Sequence, residues 1–178
     1  MMKHATQYVL LALGLIACAS GRALASEDGQ VTFMGQVVNA ACTVSTDSQD
    51  LVVHMGQVRS SQFISTGDWA MPTPFQIKLE ECNASVSQHA GVLFYGETAL
   101  KDPQIFHAGK GAGAAKGIGI GIFDAAGHLL VPGTTPSWKV PLQEGENVLR
   151  FIAKYRSTAP HVQAGTADAQ IWFNVIYQ

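Results

Sequence analysis

The chain has 178 residues, 47% of them hydrophobic and only 13% charged, with 18 Gly, 7 Pro and 3 Cys, which sets the expectation of one globular domain. Its 11 Lys+Arg against 13 Asp+Glu exclude the basic stripe of an electrostatic nucleic-acid binder. High apolar content with a small net charge also excludes a disordered chain.

In chain order, residues 1–25 read as a secretory signal peptide: Lys3 and His4 precede an apolar run over 8–19, and Ala23-Leu24-Ala25 supplies the small residues of a cleavage site. The run is about a dozen residues, short of the roughly 20 that span a bilayer. A competing reading takes Leu15-Ile16-Ala17-Cys18 as a lipoprotein processing box that would acylate Cys18 and tether the chain. Cutting after Ala25 removes Lys3 and Arg22 and leaves 153 residues with 9 basic and 13 acidic side chains, a net charge of about −4 with neutral His. Residues 26–36 follow as an extension in which Gly29, Val31, Phe33 and Gly35 alternate with polar residues and Met34. As a strand, the 10 residues from Ser26 to Gly35 would reach about 33 Å and could complete a sheet, in cis or in trans.

The remainder, 37–178, reads as strands parted by turns. Runs at 30–38, 51–55, 73–79, 91–95, 117–123, 128–131, 148–155 and 166–177 are rich in β-branched, aromatic and aliphatic residues. Turn clusters such as Asp124-Ala125-Ala126-Gly127 and Pro132-Gly133 lie between them, and no amphipathic helix of three turns is evident. That pattern indicates an all-β antiparallel sandwich or barrel. Cys42 and Cys82 are the two cysteines of the exported chain, so a disulfide is the default. A metal site would need further Cys or His close by, and His54, His89, His107, His128 and His161 are scattered. At the C-terminus Ala167, Ala169, Ile171, Phe173, Val175 and Tyr177 alternate with Thr166, Asp168, Gln170, Trp172, Asn174 and Ile176, which puts the first set on one face. A strand running almost to the last residue must be tied down by a partner.

These residues carry a family resemblance. VTFMGQVVNAACTV at 31–44, LVVHMGQV at 51–58, PFQIKLEEC at 74–82, FIAKYRSTA at 151–159 and GTADAQIWFNVIYQ at 165–178 together resemble a type 1 fimbrial subunit of chaperone–usher pili. Within that family the chain is most similar to the minor, fimbrin-like subunits. The resemblance implies an incomplete immunoglobulin-like β-sandwich that lacks its final strand and leaves an apolar groove open. A periplasmic chaperone first fills the groove with its own strand; the N-terminal extension of another fimbrial subunit then replaces it, at an outer-membrane usher, and the product is a fimbrium on the cell surface. Strand addition of this kind supplies main-chain hydrogen bonds and pockets for alternate side chains. Four or five buried side chains would contribute at most roughly 6 to 15 kcal/mol before ordering costs.

Carried onto this chain, Cys42–Cys82 is the family disulfide, and Gly29, Val31 and Phe33 are the donor strand. Gly165, Ala167, Ala169, Ile171, Phe173, Val175 and Tyr177 border the groove and receive the chaperone strand. The carboxylate of Gln178 would be gripped by basic chaperone side chains, since charge-assisted hydrogen bonds are the strong ones. With cleavage after Ala25 only Ser26 to Gln30 precede Val31, a short donor that favours a minor subunit, incorporated at a special position or acting as a terminator.

Enzymatic readings are weaker, and neither a cofactor nor a small-molecule substrate is expected. The stretch Lys110-Gly111-Ala112-Gly113-Ala114-Ala115-Lys116-Gly117 lacks the Gly-Lys-Ser/Thr step of a phosphate loop and leads into a strand-like alternation, so it reads as a loop before a strand packed close to its neighbours. Glu80 and Glu81 would point to opposite faces of a strand. Trp69, Trp138 and Trp172 suggest the alternative of a small exported lectin-like module, against which Trp172 falls on the face opposite Tyr177 and the other two read as loop packing.

Overall fold

The computed structural model describes residues 29–35 and 40–178. The chain divides into two units, Met1–Val37 and Val38–Gln178. In the first, residues 29–35 form neither helix nor strand, and Val31, Phe33 and Met34 are exposed. The strand expected at 30–38 is therefore not formed over 30–35, and its last three residues lie outside the described ones. An alternating run becomes a strand only when a neighbour supplies the ladder.

The second unit is built from β1 (Thr43–Val44), α1 (Thr46–Gln49), a 3₁₀ turn (Ser60–Gln62), β2 (Trp69–Cys82), β3 (His89–Gly96), β4 (Thr98–Ala99), β5 (Asp102–His107), β6 (Ile118–Asp124), β7 (Leu129–Leu130), β8 (Val140–Pro141), β9 (Gly145–Ser157) and β10 (Ile171–Tyr177). One sheet runs β1-β2-β9-β6-β5-β4 with β7 beside β6; the other is β10-β3-β8, and every ladder is antiparallel. Ile77, Leu79, Leu149 and Phe151 from the first sheet meet Ala90, Val92 and Phe94 from the second in one core. Phe94 contacts Phe151 edge-to-face with centroids 5.2 Å apart, and Phe75 lies 5.4 Å from Phe151, a geometry that adds to plain area burial. The architecture is the all-β, immunoglobulin-like sandwich expected.

Period-two burial explains why these segments are strands. In β9 Asn147, Leu149, Phe151, Ala153, Tyr155 and Ser157 are buried, while the intervening residues are partly or fully exposed. β6 is buried on both faces, because Trp69 lies over Gly121 and Ile105 over Gly119. A Cβ at either glycine would come within 2.6 Å of those side chains, which is the close packing read from the Ile-Gly alternation. β2 bulges twice, between Ala70 and Thr73 and between Leu79 and Cys82, with Met71 and Glu81 both at φ 53°. At the second bulge Glu80 and Glu81 are both exposed.

Two further expectations change. Residues 51–55 form no strand, and the strand expected at 166–177 begins only at Ile171. Both departures fall beside the same groove: residues 51–58 make no main-chain hydrogen bond to another described backbone group, and Thr166 and Asp168 bond to the 109–115 loop instead of to a strand. The short strands β4, β5 and β8 carry too little alternation to have been read.

Candidate functional site

β10 joins its sheet by one edge only. Gln178 and His89 exchange both main-chain hydrogen bonds, at 3.0 and 3.1 Å, so antiparallel alternation turns the N–H and C=O of Ile176, Asn174 and Trp172 toward β3. The same alternation turns those of Tyr177, Val175, Phe173 and Ile171 to the opposite edge, where no strand lies among the described residues. Across from that edge, residues 51–58 make no main-chain hydrogen bond to another described backbone group.

Between these two walls lies a groove of about 1240 Å³. Residues 49–56 form one side and 167–173 the other, and Phe75, Ile77, Phe94, Ile120 and Ile122 form its floor. The Tyr155 side chain also faces it, with Asp168 on the rim; burial pushes the Tyr155 phenol above its ordinary pKa, and the Asp168 carboxylate adds to that. Such an arrangement can bind an extended peptide: it offers unpaired main-chain groups along two edges and apolar pockets beneath. Among the described residues no group of three His, Cys, Asp or Glu is placed to hold a metal.

The residues expected at the groove divide into three groups. Ala167, Ala169, Ile171 and Phe173 line it. Val175 and Tyr177 pack into the core beyond its end, and the Tyr177 hydroxyl donates to the Cys42 carbonyl at 3.1 Å. Burial raises the Tyr177 pKa as well. Gly165 and Gln178 anchor the two ends of the segment. A Cβ at Gly165 would stand 2.4 Å from both the Ala115 nitrogen and the Gly113 oxygen, so only glycine lets Thr166 bridge to Ala114. The terminal main-chain oxygen of Gln178 accepts from Ser87 Oγ at 2.8 Å and from the His89 N–H, and its side-chain oxygen meets the Lys139 ammonium. Within this chain the C-terminal residue is thus held by Ser87, His89 and Lys139.

Cys42 and Cys82 form the disulfide, which pins the start of β1 to the end of β2. The wall at 49–56 was missed as a groove wall because its sequence is that of any strand. The tryptophans have separate surroundings: Trp172 stacks on Tyr95 at 6.1 Å, Trp69 packs against Phe123 and Arg156, and Trp138 lies in the loop before β8. Trp69 belongs to β2, contrary to the loop assignment. Nothing in these contacts gathers the three into a sugar platform.

Among the described residues the fold is thus a sandwich with an open β10 edge beside an apolar groove. The family model described as Fimbrial protein matches residues 31–178. The chain is 37% identical over 170 residues to the fimbrin-like protein FimI of Salmonella typhi, covering 94% of this chain and 96% of that one. It is 38% identical over 179 residues to long polar fimbria protein A of Salmonella typhimurium, covering 99% and 100%. Among solved structures, a chain from a chaperone–usher pilus superposes with a TM-score of 0.64 at 26% identity, covering 85% of this chain and 96% of that one. This chain belongs to the fimbrial protein family, whose members are structural pilin subunits.

Proposed function

We propose that this chain is a non-catalytic subunit of a cell-surface fimbria that assembles by exchanging β-strands. After export to the periplasm the groove beside β10 receives a chaperone strand and then, at the usher, the N-terminal run of another subunit. Gly29, Val31 and Phe33 are the residues it donates in turn. The carrying observation is the unpaired edge of β10 facing an apolar groove of about 1240 Å³. An open sheet edge templates pairing with another chain, and an exposed apolar groove is an association site.

A low-copy position in the fimbria is the finer reading, supported by the short run before Val31 and by the similarity to a fimbrin-like protein. Quantitative mass spectrometry of purified fimbriae checks it: the chain should form a small minority of subunits, and an even, abundant distribution would rule the position out. Adhesion is then a property of the whole fimbria to which this subunit contributes structure.

The mechanism is tested with the exported chain and a fluorescent peptide of residues 29–35. Binding should be saturable and lost in Phe173→Asp, which puts a carboxylate in the groove, and kept in Asn174→Asp, whose side chain lies on the other face. Absence of binding by the oxidised, folded chain to any donor peptide would defeat the proposal.

A further inference from the structure

The groove is shorter than the strand that borders it. Its lining along the C-terminal segment ends at Phe173, although the open main-chain edge continues through Val175 to Tyr177. Beyond Phe173 the interior is filled by the chain itself: Val175 and Tyr177 pack on the core, and the Tyr177 hydroxyl reaches across to the Cys42 carbonyl at 3.1 Å, on the residue held by the disulfide. At the other end, Thr166 bridges to Ala114 and Gln163 to Lys116, so the wall is pinned before Ala167. What stays open is the length of seven residues, 167–173, with four inward positions at Ala167, Ala169, Ile171 and Phe173.

We propose that Tyr177 is the stop that sets the length of strand this groove accepts. The occupant is a seven-residue β-strand from another fimbrial subunit, with inward side chains reading small, branched, aromatic, small. This chain carries that pattern over an equal length at Gly29, Val31, Phe33 and Gly35. A longer strand could continue its main-chain ladder along Val175 and Tyr177 but would find no pocket for a fifth or sixth inward side chain. The inference rests on the strand-exchange reading above and adds a specificity-determining residue to it.

The test compares a peptide of residues 29–35 with the same peptide lengthened by Thr-Leu-Thr-Leu at either end, on the full exported chain. For the unmodified protein the Kd values should agree within about twofold, because added apolar side chains stay in water. In Tyr177→Ala, which empties the space beyond Phe173, one of the lengthened peptides should bind at least about tenfold more tightly than the short one. Should that variant not fold, Tyr177→Leu shortens the side chain and frees part of the same space. There the better lengthened peptide should still bind at least about threefold more tightly than the short one. A tenfold preference of the unmodified protein for a lengthened peptide, or no length effect in either variant, overturns the stop. Failure of every peptide to bind the unmodified protein would instead defeat strand exchange itself.

Discussion

A methyl group is enough to test how the groove wall is held. At Gly165 a Cβ would lie 2.4 Å from backbone atoms of Gly113 and Ala115, atoms that cannot rotate away as a side-chain tip could. Gly165→Ala must therefore push residues 163–166 off the 113–116 loop, and overpacking of this kind costs roughly 1 to 3 kcal/mol. Urea melts should show that loss, whereas Gly111→Ala, with open space around it but φ +79°, should lose less. Two phenols give a second prediction at this scale. Burial raises both Tyr155 and Tyr177 above their ordinary value of 10.0. The folded chain then holds protons that the unfolded chain releases, so their contribution is complete below about pH 10 and is lost as pH rises through the folded values. Unfolding free energy measured from about pH 9 to 11 should fall with pH, and less steeply in Tyr155→Phe. In the sequence Gly165 stood out through the family resemblance and its distance from the C-terminus. Its steric reason depends on Gly113 and Ala115, some 50 residues away in the chain, and was invisible there.

At the scale of the element, β10 carries two kinds of residue in strict alternation. Its even-numbered amides are bonded to β3, and its odd-numbered ones face the groove. With the groove empty, hydrogen exchange should be slow at Trp172, Asn174 and Ile176 and faster at Ile171 and Phe173; an occupying strand should slow the second pair and leave the first unchanged. Uniform exchange along β10 would refute the edge assignment. The same element shows how far the sequence could be read. Side-chain alternation gave the inward face of β10 correctly, because Ile171, Phe173, Val175 and Tyr177 all pack on the core. It could not tell that residues 51–55 would lie unpaired or that 166–170 would leave the ladder, since apolar alternation reports burial and says nothing about a hydrogen-bonding neighbour. The groove was likewise out of reach of periodicity; it came from the resemblance, and its geometry from the sandwich.

For the whole molecule, two closures compete in size: the disulfide that ties β1 to β2 and the strand that fills the groove. Cys42–Cys82 spans a sequence separation of 40, and closing such a loop stabilises the folded chain by about 4 kcal/mol in the chain-entropy account. An occupant at 100 times its Kd adds about 2.7 kcal/mol by mass action, and both are large beside a total stability of roughly 5 to 15 kcal/mol. The disulfide is therefore the larger of the two at that concentration, and the ordering of four states follows. Oxidised and filled should be most stable, then oxidised and empty, then reduced and filled by a margin of about 1 kcal/mol, then reduced and empty. Denaturant melts with and without reductant and saturating peptide test the order. Raising the peptide to about 1,000 times Kd contributes about 4.1 kcal/mol and should bring the middle two states level, because the occupant then matches the bridge. If reduction instead abolished peptide binding altogether, the two closures would not be independent: the Cys42 carbonyl, held by the bridge and bonded to Tyr177, would be a condition for the groove to exist.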